Sequence, residues 1–81
     1  MDLKKFRKAR NTALLSMDEK TIRKYARKYG IDMPKDDAIF WAAVHKARTA
    51  CKDLPMEART QSKRWLIQWN LQPLDDGDVP V

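Results

Sequence analysis

Charged and apolar side chains are cleanly separated between residues 20 and 29, and this separation constrains the fold more than any other feature of the sequence. Successive residues of an α-helix lie about 100° apart around its axis. The apolar side of such a helix is formed by Ile22, Tyr25, Ala26 and Tyr29. The opposite side carries Lys20, Arg23, Lys24, Arg27 and Lys28. The segment is therefore predicted to be an amphipathic helix with one cationic face.

Similar periodicity elsewhere predicts an all-α chain. We expect a small compact bundle of four short helices at about residues 2–15, 17–29, 36–51 and 55–69. The two glycines and four prolines lie between these segments, at an edge or beyond them, which is typical of helices joined by short turns. A length of 81 residues suits one domain. We assign that domain to residues 1–72 and expect a flexible acidic tail at 73–81.

Particular residues predict where these helices begin and end. Ser16 and Glu19 have the spacing of a capping box for the second helix. Pro55 is expected at the first position of the fourth helix. Three more residues suit helix ends, namely Asp2 as an N-terminal cap and Gly30 and Asn70 as left-handed C-terminal stops.

The apolar faces also predict the core. It should centre on Leu3, Phe6, Leu14, Ile22, Tyr25, Tyr29, Phe40, Val44, Trp65, Leu66 and Trp69. Tyr25 and Tyr29 could instead stack on nucleobases, but they lie opposite the cations, so core packing is the favoured interpretation. Cys51 is the single cysteine, which excludes an intramolecular disulfide.

Positive charge is concentrated at the start of the chain, whose formal net charge is +6. Residues 1–29 hold ten Lys and Arg against three Asp and Glu, whereas residues 30–81 hold seven against eight. This asymmetry favours a nucleic acid or an acidic protein surface as the partner. No apolar stretch follows the charged N-terminal residues, so we expect no signal peptide, no membrane span and a cytoplasmic location.

The cationic side of the second predicted helix is the first candidate site. Its cations suit contacts with phosphates, and Lys4, Lys5 and Lys8 would extend it if the first two helices form a hairpin. The alternative is a solvated face that only maintains solubility. No acid occurs from Lys20 to Ile31, and each like-charge pair four residues apart costs roughly a few tenths of a kcal/mol. The two interpretations carry equal weight on the sequence alone.

Trp41, His45 and Arg48 form a second candidate patch along one strip of the third predicted helix. An exposed tryptophan beside an arginine would suit a protein-binding hot spot. The favoured alternative is that Trp41 covers an edge of the core and His45 is half exposed. A sequence-reading helix-turn-helix is disfavoured, because Asp36 and Asp37 occupy the turn that would meet phosphates.

The sequence predicts neither catalysis nor a cofactor. It has one His, one Cys, no glycine-rich phosphate loop and no cluster of metal ligands. We therefore expect no catalytic residues, no bound metal and a non-enzymatic protein.

The stretches KYGIDMP and FWAAVHKAR, followed by spaced LP, R and SKRWL, carry a resemblance that extends over most of the chain. They resemble short uncharacterised all-helical proteins of bacterial prophages and other mobile elements. The resemblance implies no activity and no binding residues. It raises the expectation that the target is a nucleic acid or a host protein.

Three functions follow as hypotheses. The first is a binding module that contacts nucleic-acid phosphates without sequence preference. The second is a small adaptor or inhibitor that docks an acidic surface of a host or phage protein. The third is self-association through leftover apolar surface, and the oligomeric state stays open.

Overall fold

The structure, a computed structural model, describes residues 2–71. It contains four helices, which are α1 (Leu3–Ser16), α2 (Glu19–Lys28), α3 (Asp37–Ala50) and α4 (Met56–Gln68). No strand occurs within the described residues. The prediction of an all-α chain with four short helices is confirmed, and the predicted bounds agree to within about two residues. The tail predicted at 73–81 lies outside the described range.

The chain divides into two units, Met1–Met33 and Pro34–Val81. In the first unit α1 packs against α2, and in the second α3 packs against α4. We refer to them as the first and the second hairpin. In the first, Phe6 near the start of α1 contacts Tyr29 just after α2, so the two helices run in opposite directions. The assignment of one domain to residues 1–72 stays a prediction.

Aspartates begin three of the four helices. Asp2 accepts a hydrogen bond from the backbone N–H of Lys4 at 3.0 Å, as predicted. Asp36 accepts one from Ile39 at 3.1 Å. A short carboxylate suits this position because it satisfies an N–H group that has no partner inside the helix.

The capping box predicted for α2 is wrong. The N-terminal cap is Asp18, whose carboxylate accepts from the backbone N–H of Thr21 at 3.0 Å. Ser16 is the last residue of α1, and its hydroxyl donates to the Ala13 carbonyl at 2.6 Å. Met17 intervenes with a left-handed φ of 52°. This turn ends α1 and leaves the carboxylate of Asp18 nearest to the first free N–H groups of α2.

Left-handed residues end α2 and α4, as predicted. Gly30 has a φ of 69° and Asn70 a φ of 58°. Beyond them, the N–H of Ile31 bonds the Ala26 carbonyl and the N–H of Leu71 bonds the Leu66 carbonyl, both at 2.8 Å. These six-residue closures are Schellman motifs.

Pro55 departs slightly from its prediction. It precedes α4 as the cap residue instead of occupying the first helical position. Its carbonyl still accepts a hydrogen bond from the N–H of Arg59 at 3.2 Å, which is the first backbone hydrogen bond of the helix.

Each hairpin has its own buried residues. In the first they are Ala13, Leu14, Ile22 and Ala26. In the second they include Phe40, Val44, Cys51, Leu54, Ala58 and Leu66. Most of the predicted core residues are therefore buried or half-buried, and Leu54 in the α3–α4 connection is an addition that no periodicity indicated.

Two predicted core residues are exposed. Leu3 is 61% exposed and Trp69 is 63% exposed. Phe6 already meets Tyr29 after the last residue of α2, so Leu3 lies one turn farther out, beyond the end of the partner helix. Trp69 follows Gln68, the last residue of α4. Leu3 continues the apolar side of α1 where α2 has already ended, and Trp69 lies one residue past the end of α4 itself.

Candidate functional site

The cationic face of α2 consists of Lys20, Arg23, Lys24, Arg27 and Lys28. All of these residues are exposed except Arg23, which is half-buried. The opposite side of the helix is buried at Ile22 and Ala26, which are 2% and 3% exposed. Because this apolar side is buried against α1, the cations on the other side of α2 face solvent.

Arg23 is partly neutralised by an acid that precedes the cationic run. Its Nε donates to Glu19 Oε2 at 2.9 Å, across one helical turn. The four-residue spacing made this pair visible in the sequence. Lys24 and Arg27 differ, because neither has a carboxylate within 4.0 Å among residues 2–71.

The two cations at the end of α2 also serve the helix itself. Arg27 and Lys28 lie in its last turn, where positive charge complements the helix dipole. The Lys28 ammonium group lies 5.7 Å from the centre of the Tyr29 ring, within the range of a cation–π contact. Lys24 has no comparable local role, so its charge is the least explained by the helix alone.

α1 adds exposed cations to the same hairpin. Lys4, Lys5 and Lys8 are all exposed. They could extend the cationic face only if the first two helices pack together, and α1 does pack against α2. That they join the cationic face in one binding surface stays a prediction.

An aromatic triad holds α2 against α1. The Phe6 ring meets the Tyr29 ring edge to face, with centroids 5.0 Å apart and planes at 80°. Tyr25 lies 6.0 Å from Phe6 and 5.2 Å from Tyr29. The edge-to-face arrangement places the positive edge of one ring against the negative face of another. The tyrosines thus pack within the hairpin, as the favoured interpretation held.

The second candidate patch is largely buried. His45 is 3% exposed and Arg48 is 2% exposed, while Trp41 is half-buried. The expectation of a half-exposed His45 is wrong, because α4 covers this strip of α3. The small residues Ala58 and Ser62, one turn apart on α4, leave room for both side chains. The sequence places Ala58 and Ser62 on one face of the fourth helix, but it does not indicate that this face covers His45 and Arg48.

The buried side chains of His45 and Arg48 on α3 have hydrogen-bond partners on α4. His45 Nδ1 lies 2.9 Å from Ser62 Oγ, and the imidazole stacks on Trp65 with centroids 4.2 Å apart and planes at 18°. Arg48 Nη2 donates to the Ala58 carbonyl at 3.3 Å and to Gln61 Oε1 at 3.1 Å. These contacts offset the cost of removing the polar groups from water.

Burial also determines the protonation of His45. Desolvation, and then the positive charge of Arg48, lower the pKa of His45 to about 4. The ring is therefore neutral near pH 7. A His and a Ser at 2.9 Å have the contact distance of a base and a nucleophile. However, Ser62 is 0% exposed, so the pair is a structural hydrogen bond.

Residues 2–71 contain no cluster of metal ligands and no helix that could span a membrane. No three His, Cys, Asp or Glu side chains in this part of the chain converge as a metal site requires. None of the helices it contains has the length and apolar character needed to cross a membrane. No known family model, curated protein or solved structure matches this chain.

Proposed function

We propose that this chain is a small, basic, non-enzymatic binding module that contacts nucleic-acid phosphates through the cationic face of α2, without sequence preference. The observation that carries the proposal is the exposure of Lys20, Lys24, Arg27 and Lys28 on one side of a ten-residue helix. Like charges this close repel one another. A polyanion would relieve that repulsion and release its own bound counterions.

The dimensions of the face suit a phosphate backbone. Lys20 and Lys28 are eight residues apart, which is about 12 Å along a helix axis. One strand of a duplex presents a phosphate roughly every 3.4 Å along its own axis, so the face spans about three or four phosphates.

The distribution of charge supports the same proposal. The first hairpin, Met1–Met33, contains ten Lys and Arg against four Asp and Glu. The second hairpin, Pro34–Val81, contains seven against seven. The whole net charge of +6 therefore belongs to the hairpin with the cationic face, which would steer a polyanion towards it. The proposal includes an origin in a bacterial prophage or another mobile element, which the sequence resemblance favours.

The test is fluorescence anisotropy of a labelled random-sequence oligonucleotide, single-stranded and duplex, across a salt series. We expect micromolar binding at low salt that weakens steeply as salt rises. Lys24→Glu/Arg27→Glu should abolish binding, or should reduce the slope of log affinity against log salt concentration by about two, which is about one for each lost phosphate contact. The matched control is Lys35→Glu/Lys52→Glu, which makes the same charge change at two exposed residues of the second hairpin.

Equal losses in the two double variants would contradict a specific role for α2, since net charge alone would then govern binding. Absence of binding by the wild type at low salt would remove the nucleic-acid proposal altogether. The acidic surface of a protein would then be the partner to test. The cationic face would be its docking site, because His45 and Arg48 are buried.

A further inference from the structure

The first helix carries its own set of exposed cations. Lys4, Lys5 and Lys8 are exposed, and α1 itself contains no Asp or Glu. We name these three residues the α1 face. The helix does not explain their charge, because Lys4 and Lys5 lie in its first turn, where the helix dipole disfavours positive charge. In α2, by contrast, the dipole favours the two cations of the last turn.

The α1 face and the cationic face of α2 lie on opposite sides of the first hairpin. In α1, Lys8 lies about 120–140° around the helix axis from the buried residues Ala13 and Leu14. In α2, Lys24 lies about 160° from each of the two buried residues of that helix. The buried residues of each helix are on the side that packs against the other helix. The two sets of cations therefore point away from each other.

The aromatic triad lies between the two faces. Phe6 of α1 packs on Tyr25 and Tyr29 at the end of α2, so both faces are at the same end of the hairpin. The thickness of two helices separates them, which is roughly 20 Å at 10–12 Å for each helix. These three rings are the only aromatic residues of the first hairpin. Because they pack on one another, the hairpin is better suited to contact phosphates than to stack on unpaired bases.

We propose that the first hairpin holds two nucleic-acid duplexes at once, one on the α1 face and one on the cationic face of α2. This inference rests on the proposed function and extends it from binding to bridging. The persistence length of a duplex is about 150 base pairs, so a short duplex on one face does not bend around the hairpin to the other face. Each face is therefore neutralised by a duplex of its own.

The test measures energy transfer between two samples of one short duplex, labelled with a donor and with an acceptor, at low salt. The duplex has about 20 base pairs, far below the persistence length. The wild type should produce energy transfer, and a large excess of protein should remove it, because each duplex then has a hairpin of its own. Lys4→Glu/Lys8→Glu on the α1 face should abolish the transfer. Lys24→Glu/Arg27→Glu on the other face should do the same.

Anisotropy of the same duplex, labelled once, distinguishes two separate faces from one extended surface. With separate faces, Lys4→Glu/Lys8→Glu should leave the slope of log affinity against log salt concentration unchanged, because a duplex on α2 does not contact the α1 face. On one extended surface the slope would fall by about two, and this result would overturn the inference. Circular dichroism verifies that the helices of each variant persist.

The matched control is Lys35→Glu/Lys52→Glu, which makes the same charge change at two exposed residues of the second hairpin. It should keep both the energy transfer and the salt slope of the wild type. Loss of the transfer in this control as well would show that net charge alone brings the duplexes together, and would overturn the inference.

The remaining outcomes separate this inference from the proposed function. Energy transfer that persists in Lys4→Glu/Lys8→Glu would overturn the inference, because two associated chains that each hold a duplex through α2 would then form the bridge. Binding of a duplex without energy transfer, or binding of single-stranded oligonucleotides alone, would also overturn it and leave phosphate binding intact. No binding of either kind of nucleic acid would overturn both.

Discussion

The two hairpins place the same kinds of side chain in opposite environments. In the first, arginine and lysine side chains of α2 lie in water around a core of small and aliphatic residues. In the second, Arg48 and His45 are enclosed between α3 and α4 beside Thr49 and Ser62, which are 0% exposed. One hairpin leaves its charged side chains exposed to solvent, and the other encloses polar groups that connect its own two helices.

The difference shows why residue type alone does not identify a site. A cation in water keeps its hydration and can exchange it for a phosphate. A buried cation needs internal acceptors, and Arg48 has the Ala58 carbonyl and Gln61 as two of them. The position of the neighbouring helix decides which role an arginine has.

The largest contrast concerns the two phenylalanines of the chain, one in each hairpin. Phe40 is 0% exposed, and Phe40→Ala should lower the free energy of unfolding by about 3–5 kcal/mol through the cavity that it leaves. Phe6 is half-buried, so Phe6→Ala should cost roughly half as much. Urea denaturation followed by circular dichroism measures both. Equal losses would mean that the hairpins depend on their cores to the same degree.

The second contrast is the response to pH. The pKa of His45 is lowered from 6.5 to about 4 in the folded chain. Between these two pH values the His45 side chain binds a proton in the unfolded chain but not in the folded chain. The free energy of unfolding therefore has its full value above about pH 6.5 and declines as the pH falls towards 4. The loss should reach about 3 kcal/mol, at 1.36 kcal/mol per pKa unit. Urea midpoints measured near neutral pH and at about pH 4.5, where most of the loss has occurred, give the size of the effect.

The control for the pH experiment is His45→Asn, whose amide can keep a hydrogen bond to Ser62. This variant should start from a lower stability and show a flatter dependence above about pH 4.5, where few carboxylates titrate. An equally steep decline in the variant would assign the effect to other groups.

The third contrast tests the left-handed end of α2. At Gly30 a β-carbon would meet nothing within 4 Å, so Gly30→Ala introduces conformational strain without a clash. At a φ of 69° this strain should lower the free energy of unfolding by about 1 kcal/mol. Thermal denaturation measures the change. No loss would mean that the end of α2 shifts at little cost.

The smallest effect is expected at the matching position of α4. Asn70 has a φ of 58°, and asparagine tolerates this conformation better than other residues with a β-carbon. Asn70→Gly should therefore change the free energy of unfolding by less than about 0.5 kcal/mol, since the relief of strain is offset by the freedom that glycine adds to the unfolded chain. A clear gain would show that α4 ends under more strain than α2.

Local features of the fold were the most predictable. Four helices, the cap at Asp2 and the stops at Gly30 and Asn70 follow from interactions within a few residues of chain. The cap of α2 was not predicted correctly, because Ser16 and Asp18 compete for one role. The left-handed turn at Met17 makes Asp18 the cap residue. Methionine is not a residue that predicts such a turn.

The cationic face of α2 was predictable for the same reason, because helical periodicity alone separates its residues from Ile22 and Ala26. Helix lengths and pairing decided the rest. Trp69 is exposed because α4 ends before it, and His45 is buried because Ser62 and Trp65 of α4 lie against it. The sequence by itself determined which residues share a side of a helix. Only the tertiary structure decided which sides meet a partner helix, because that depends on contacts between residues far apart in the chain.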